Sequence, residues 1–147
     1  MDLATALRQG TELLEKDSIS APRLTAEVLL ARALRCERVA LYAHPERELT
    51  SVEQLHFGRY LHERLRRKPT QYITGRQEFS GRMFRVTPAA LIPRPETELV
   101  VETALRLAPS ARRILDVGTG SGCLAITLAK EMPGAMVWAS DLSREAL

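Results

Sequence analysis

The sequence has few of the features that mark secreted or membrane proteins. Only two cysteines are present, Cys36 and Cys123, and they lie far apart with no C-x-x-C pair. Such usage is typical of a reducing compartment. No apolar run approaches the roughly 20 residues that cross a bilayer, and the amino terminus has an early acid and no signal-peptide core. We therefore expect a cytoplasmic protein without a membrane partner.

Metal-binding patterns are also lacking. The three histidines, His44, His56 and His62, do not form the i, i+4 pair of a helical zinc site, and no cysteine lies near them. Surface or packing roles suit them better. The sequence therefore predicts no metal site.

Charge is mild and gives little evidence of a nucleic-acid partner. The net charge is +3, with 18 arginines and only 3 lysines. The densest basic run, residues 64–68, closes a predicted helix, where cations are favoured by the helix dipole. A solvated helix end is the main interpretation, and an electrostatic contact with an RNA-bound or acidic partner is the alternative. We expect a monomer that does not bind nucleic acid directly.

The first 75 residues have helical periodicity. Apolar spacing and end signals predict helices over 2–17, 22–36 and 51–67, with a short turn over 38–42. In the long third helix, the residues expected to bury one side are Leu55, Tyr60, Leu61 and Leu65. Pro69 ends that helix. Residues 1–75 are therefore expected to form a helical bundle and a domain of their own.

The sequence pattern changes after residue 75. Residues 77–87 contain two short runs of aromatic and β-branched residues around Ser80-Gly81, which predicts a hairpin. We expect residues 76–95 to form a hinge and linker. Pro95 then opens a helix through Leu107, whose apolar positions Val100, Val101, Ala104 and Leu105 would pack against a sheet.

A glycine-dense stretch follows, and it contains the residues that we expect to bind a ligand. Residues 114–117 predict a short buried strand, with Asp116 near its end, then Gly118, Gly120 and Gly122, then a helix beginning near Gly122. Residues 136–141 predict the next strand, which ends in Asp141. The fold class is therefore α/β: a helical bundle, a hairpin linker, and the start of a Rossmann-like domain over residues 96–147 with an incomplete sheet.

The pattern of the turn indicates its ligand. No lysine stands where a P-loop needs one, and G-x-G-x-x-G fits poorly because its last position falls on Cys123. Asp116 ahead of the glycines would repel a diphosphate. A ligand with a cationic amino group and no phosphate suits it better, such as S-adenosylmethionine (SAM), with Asp141 at the ribose hydroxyls. The plain alternative is a strand-turn-helix in which Asp141 caps a helix.

Four segments in order resemble the HemK/PrmC family, the protein-(glutamine-N5) methyltransferases of peptide chain release factors. They are P-T-Q-Y-I-T-G at 69–75, E-F at 78–79, I-P-R-P-E-T-E at 92–98 and D-V-G-T-G-S-G-C at 116–123. The resemblance implies SAM-dependent methylation of the glutamine in the release factor's Gly-Gly-Gln motif. It also implies that the helical domain recognises the release factor.

The resemblance assigns residues as well. It places Asp116, Gly118, Thr119, Gly120, Ser121, Gly122 and Asp141 at the cofactor, and Arg94, Glu96 and Glu98 near the site. The family's Asn-Pro-Pro-Tyr motif, which orients the substrate amide, is absent from these 147 residues, so no catalytic residue is assigned. We expect a fragment or truncated product without turnover. The alternatives are a DNA adenine N6-methyltransferase and a non-catalytic fragment that binds release factors.

Overall fold

The computed structural model describes residues 1–146. The chain divides into two compact units, Met1–Thr74 and Gly75–Leu147, with Leu147 itself outside the described residues. The first unit is built from α-helices, with one isolated β-bridge between Asp2 and Glu48. Its elements are α1 (Leu3–Lys16), α2 (Pro22–Leu34), α3 (Ala40–Ala43), α4 (Ser51–Leu65) and α5 (Thr70–Thr74).

Local signals set the helix ends in this unit. Asp2 caps α1 by accepting the Thr5 N–H at 2.7 Å, and Thr50 and Glu53 form a complete capping box at the start of α4. The short α5 was not predicted, since five residues are too few to show a helical period. It begins directly after Pro69, whose carbonyl accepts the Tyr72 and Ile73 N–H groups.

The core of the first unit lies between α1, α2 and α4. Its fully buried side chains include Leu3, Leu14, Leu29, Leu30 and Leu41. The prediction that α4 buries Leu55 is wrong, because that side chain is 71% exposed. The buried stripe instead runs through Phe57, Tyr60 and Leu61. On a helix, two residues of separation turn Leu55 about 200° away from Phe57.

The second unit combines a hairpin, two helices and a parallel strand pair. Its elements are β1 (Arg76–Phe79), β2 (Arg82–Arg85), α6 (Glu98–Leu107), β3 (Arg113–Val117), α7 (Cys123–Glu131) and β4 (Met136–Ser140). A single 3₁₀ turn, Pro95–Thr97, precedes α6. β1 and β2 pair antiparallel around the predicted Ser80-Gly81 turn. β3 and β4 pair in parallel, with Arg113 opposite Met136 and Val117 opposite Ser140. The α/β fold class is confirmed.

The hairpin is part of this unit's core. Phe79 and Phe84 pack edge to face with ring centroids 6.1 Å apart, and they share a buried cluster with Val101, Cys123 and Leu128. The segment expected to be a linker therefore supplies two of the largest buried side chains here.

The parallel strands are less buried than their sequence suggested. The prediction of a buried β3 is wrong: Leu115 and Val117 are 64% and 76% exposed. Successive side chains of a strand alternate between two faces, and only the face of Ile114 packs on the cluster formed with α6 and α7. Val100, expected to pack on the sheet, is also exposed, while its neighbour Val101 is buried.

Candidate functional site

The glycine turn lies at the carboxyl ends of the two parallel strands. It joins the end of β3 to the start of α7, which is where open α/β sheets bind their ligands. Gly118, Gly120 and Gly122 have φ values of 78°, 53° and 76°. Residues that have a Cβ atom are strained at these left-handed φ values. The alternating glycines therefore allow the chain to fold into this turn.

The end of β4 binds the backbone amides of the turn. Gly118 and Thr119 both donate their N–H groups to the Ser140 carbonyl, at 2.8 and 2.9 Å. Gly120 donates its N–H to Oδ2 of Asp141 at 2.8 Å. In phosphate-binding loops such amides point at the anion instead. Here three consecutive backbone N–H groups, those of residues 118–120, already donate to oxygens of the chain itself. The turn therefore does not present them to a phosphate.

Asp141 therefore holds the turn through one of its two carboxylate oxygens. Its Oδ1 accepts the Ser143 N–H at 2.9 Å. The Ser143 and Gly120 amides lower the pKa of Asp141 below its ordinary value. Each carboxylate oxygen has two acceptor positions, so both can still accept ribose hydroxyls. Among the described residues, Asp141 is followed by a turn over 144–146 and not by a helix.

Asp116 is organised by a residue of the turn itself. Thr119 donates its hydroxyl to Oδ2 of Asp116 at 2.7 Å. Thr119 is buried, and its carbonyl accepts the Gly122 N–H at 2.9 Å. The two acids predicted from sequence thus lie on either side of one turn, each bonded to it.

Ser121 and Cys123 complete the turn without offering a nucleophile. The Ser121 hydroxyl oxygen is buried and has no hydrogen bond of normal geometry to a described residue. Burial raises the pKa of the Cys123 thiol, and the negative charge of Asp116 acts in the same direction. The thiol therefore stays protonated at neutral pH, and covalent catalysis by Cys123 is disfavoured.

A small cavity opens beside the turn. Its volume is about 310 Å³, and it is lined by Val117, Gly118, Ser140, Asp141 and Leu142. That volume is at the lower end of the range for small-molecule sites, roughly 300–1,000 Å³. Leu142, which directly follows Asp141, is fully exposed there.

The three residues predicted near the site differ in their surroundings. Arg94 and Glu96 are exposed. Glu98 instead accepts the Ser80 N–H at 2.8 Å and so holds the hairpin turn. Ala90, four residues before Arg94, approaches the glycine turn, since its Cβ lies 3.7 Å from the position that a Cβ on Gly120 would take. This stretch forms no helix or strand and therefore has no periodic sequence pattern. The contact could not be predicted from the sequence for that reason.

Residues 1–146 have neither a membrane-spanning helix nor a cluster of metal-binding side chains. No helix there is both long and apolar enough to cross a membrane. No group of three or more histidine, cysteine, aspartate or glutamate side chains in the same range could hold a metal ion.

Comparison with known proteins identifies both halves of the chain. Residues 5–75 match the family model of the PrmC N-terminal domain, and residues 95–147 match that of the methyltransferase small domain. A release factor glutamine methyltransferase of Koribacter versatilis is 52% identical over 100% of this chain and 53% of its own length. That of Chlorobaculum tepidum is 52% identical over 88% of this chain and 46% of its own.

A third relative extends the same result. The release factor glutamine methyltransferase of Moorella thermoacetica is 44% identical over 100% of this chain and 53% of its own length. The chain thus spans about half the length of the curated relatives it matches, and the match covers both the helical unit and the glycine turn. The chain belongs to the HemK/PrmC family, the family of the release factor glutamine methyltransferases.

Proposed function

We propose that this protein takes part in SAM-dependent N5-methylation of the glutamine in the Gly-Gly-Gln motif of peptide chain release factors. The observation that carries the proposal is the glycine turn, whose amides are bound within the chain while two carboxylates lie beside it. The relatives named for this reaction, matched across both units, support it.

The donor set fits SAM better than a nucleotide phosphate. In this proposal Asp141 accepts the ribose hydroxyls, Asp116 faces the cationic amino group, and residues 118–122 provide the close backbone surface. Both acids would repel a diphosphate, and the turn has no lysine to offset them. When bound, SAM supplies a methyl group on a positively charged sulfur. The chain's own residues bind and orient it.

The substrate amide needs separate positioning. Its nitrogen is a poor nucleophile because the lone pair is delocalised into the carbonyl, so holding it in line with the methyl group contributes much of the rate. These 147 residues contain no asparagine, so they cannot supply the side chain of an Asn-Pro-Pro-Tyr motif. We therefore assign cofactor binding, and no catalytic residue, to the described chain.

The helical domain, residues 1–75, is proposed to recognise the release factor. With a release factor as partner, we expect the reaction to take place in the cytoplasm. The match of residues 5–75 to the PrmC N-terminal domain supports this role. The basic run at the end of α4 has partners within its own unit: Arg67 bonds the Asp17 backbone carbonyl at 3.0 Å, and Lys68 pairs with Glu63. These pairs favour a solvated helix end over a nucleic-acid contact.

The test is transfer of a radiolabelled methyl group to a purified release factor. The full-length Koribacter versatilis relative serves as positive control and should label the glutamine. The 147-residue chain should give no label yet retain the release factor in a pull-down without SAM. Label on DNA adenine by either protein would support the alternative enzyme class. Label on glutamine from the short chain would mean that a residue already present, with Glu96 the first suspect, orients the amide.

A further inference from the structure

We propose that Thr119 is a positioning residue for the cofactor. Its hydroxyl fixes one oxygen of Asp116, so that the other faces the ligand's cationic amino group. The proposal rests on the function proposed above and deepens it, because it assigns recognition of the amino-acid part of the ligand to a pair of residues.

The Thr119–Asp116 bond has the geometry of a strong interaction. Its length, 2.7 Å between Oγ1 and Oδ2, is typical of a hydroxyl that donates to a carboxylate. It spans only three residues, from the end of β3 into the turn. The bond engages Oδ2, and a carboxylate accepts at both oxygens. Oδ1 therefore remains able to accept from a ligand.

The hydroxyl is held in place from several directions. Thr119 is 8% exposed. Its N–H donates to the Ser140 carbonyl at 2.9 Å, and its own carbonyl accepts from Gly122 at 2.9 Å. A β-branched side chain also has a stiff first torsion angle. The donor is therefore preorganised before any ligand arrives, which reduces the cost of ordering Asp116 on binding.

A purely structural role gives a different expectation. If the hydroxyl only satisfied a half-buried carboxylate, its loss would lower the stability of the turn and weaken every ligand of the site alike. A positioning role weakens only ligands that carry the amino group. The two roles are therefore separated by a pair of ligands that differ in that group.

The experiment uses the full chain, with dissociation constants from NMR titration. The ligands are S-adenosylhomocysteine and 5′-methylthioadenosine, which share the nucleoside, while the second lacks the amino-acid part. Thr119→Val removes the donor and keeps the shape, and should weaken S-adenosylhomocysteine about five- to tenfold. It should leave 5′-methylthioadenosine within about twofold. Thr119→Ser keeps the hydroxyl and should restore the discrimination.

A double variant and a proton-exchange measurement test the Thr119–Asp116 bond directly. In an Asp116→Asn background, Thr119→Val should cost no further affinity, and an additive loss would overturn the proposal. In the unaltered chain, the Thr119 hydroxyl proton should exchange slowly with water, and rapid exchange would overturn it even if the valine variant fails to fold.

The same titrations distinguish a failure of the positioning role from a failure of the proposed function. Equal weakening of both ligands, or of neither, overturns the positioning role and leaves the proposed function standing. If the unaltered chain binds neither ligand, the proposed cofactor site fails, and the positioning role fails with it.

Discussion

Gly120 donates its backbone N–H to the Asp141 carboxylate at 2.8 Å, across 21 residues of sequence. The bond joins the middle of the glycine turn to the residue that follows β4. The acid expected to bind ribose is therefore also the residue that holds the turn in its shape. Ligand affinity and turn geometry should depend on Asp141 together.

Asp141→Ala should weaken S-adenosylhomocysteine by about tenfold or more, since it removes charge-assisted hydrogen bonds to the ligand and the anchor of Gly120. NMR titration measures the dissociation constant, and hydrogen exchange should show faster exchange of the Gly120 amide. Glu145→Ala is the matched control, because it removes an equal charge from an exposed position four residues on. An unchanged dissociation constant would reduce Asp141 to a structural cap.

Gly10→Ala and Gly58→Ala should change stability in opposite directions. A Cβ on Gly10 would lie 2.7 Å from Cζ of Phe57, a ring that is only 4% exposed and cannot move aside. Such overpacking costs about 1–3 kcal/mol. Gly58, in the middle of α4, has open space around it, so alanine there should stabilise by roughly 0.5–1 kcal/mol.

Urea unfolding of the full chain measures both glycine variants. Changes of the same sign would contradict the packing of α1 on α4. A stabilised Gly10→Ala protein would do so most clearly, because helix propensity alone favours alanine at both positions.

A chain that ends at Thr74 should fold by itself. The hydrophobic cluster of the first unit is built from residues 3–73, so ending the chain there removes none of its members. Thermal unfolding followed by circular dichroism should show one cooperative transition. A gradual, non-cooperative loss of signal would show that this unit depends on the second one.

Glu27 should make the first unit sensitive to acid. Burial opposes its charged form, but hydrogen bonds from Tyr42 and Arg23 outweigh that effect and hold the pKa of Glu27 below its ordinary value. A lowered folded-state pKa gives stability that is present above the unfolded pKa and lost as pH falls through the folded one. Stability should therefore decline below about pH 4.3.

Two glutamate-to-glutamine variants test whether Glu27 causes this acid sensitivity. Glu27→Gln should lose about 1–2 kcal/mol at pH 7 and flatten the acid decline. Glu12→Gln should do neither, since its pair with Arg8 is exposed on both sides. Urea unfolding at pH 7 and pH 3 gives the four values. Equal behaviour of the two variants would contradict the assignment to Glu27.

The features predicted correctly from the sequence are those whose sequence signals lie within a few neighbouring residues. The capped start of α4, the hairpin turn at Ser80-Gly81 and the glycine turn all carry their signals within a few residues, and each is found where expected. Family membership followed from four short motifs in order and is confirmed by the relatives.

Contacts made through the backbone or across distant segments were not predicted. Ser140 binds the turn by its carbonyl, which any residue type could supply. The exposure of Leu115 depends on which face of the strand pair the helices cover, and apolar composition does not reveal that. Glu98 bonds to Ser80 across 18 residues, so its role in the hairpin could not be read from its place in a motif.

The glycine turn is proposed to bind a nucleoside that carries a cationic amino group and no phosphate. The most direct measurement is a pair of NMR titrations of ¹⁵N-labelled chain, one with S-adenosylhomocysteine and one with ATP. We predict saturable shifts of the Gly118, Thr119, Gly120 and Asp141 amides with S-adenosylhomocysteine, and no shifts with ATP. In Asp141→Ala, about tenfold or more ligand should be needed to reach the same shifts at the remaining amides. Shifts of these amides with ATP, or no shifts with S-adenosylhomocysteine, would contradict this ligand assignment.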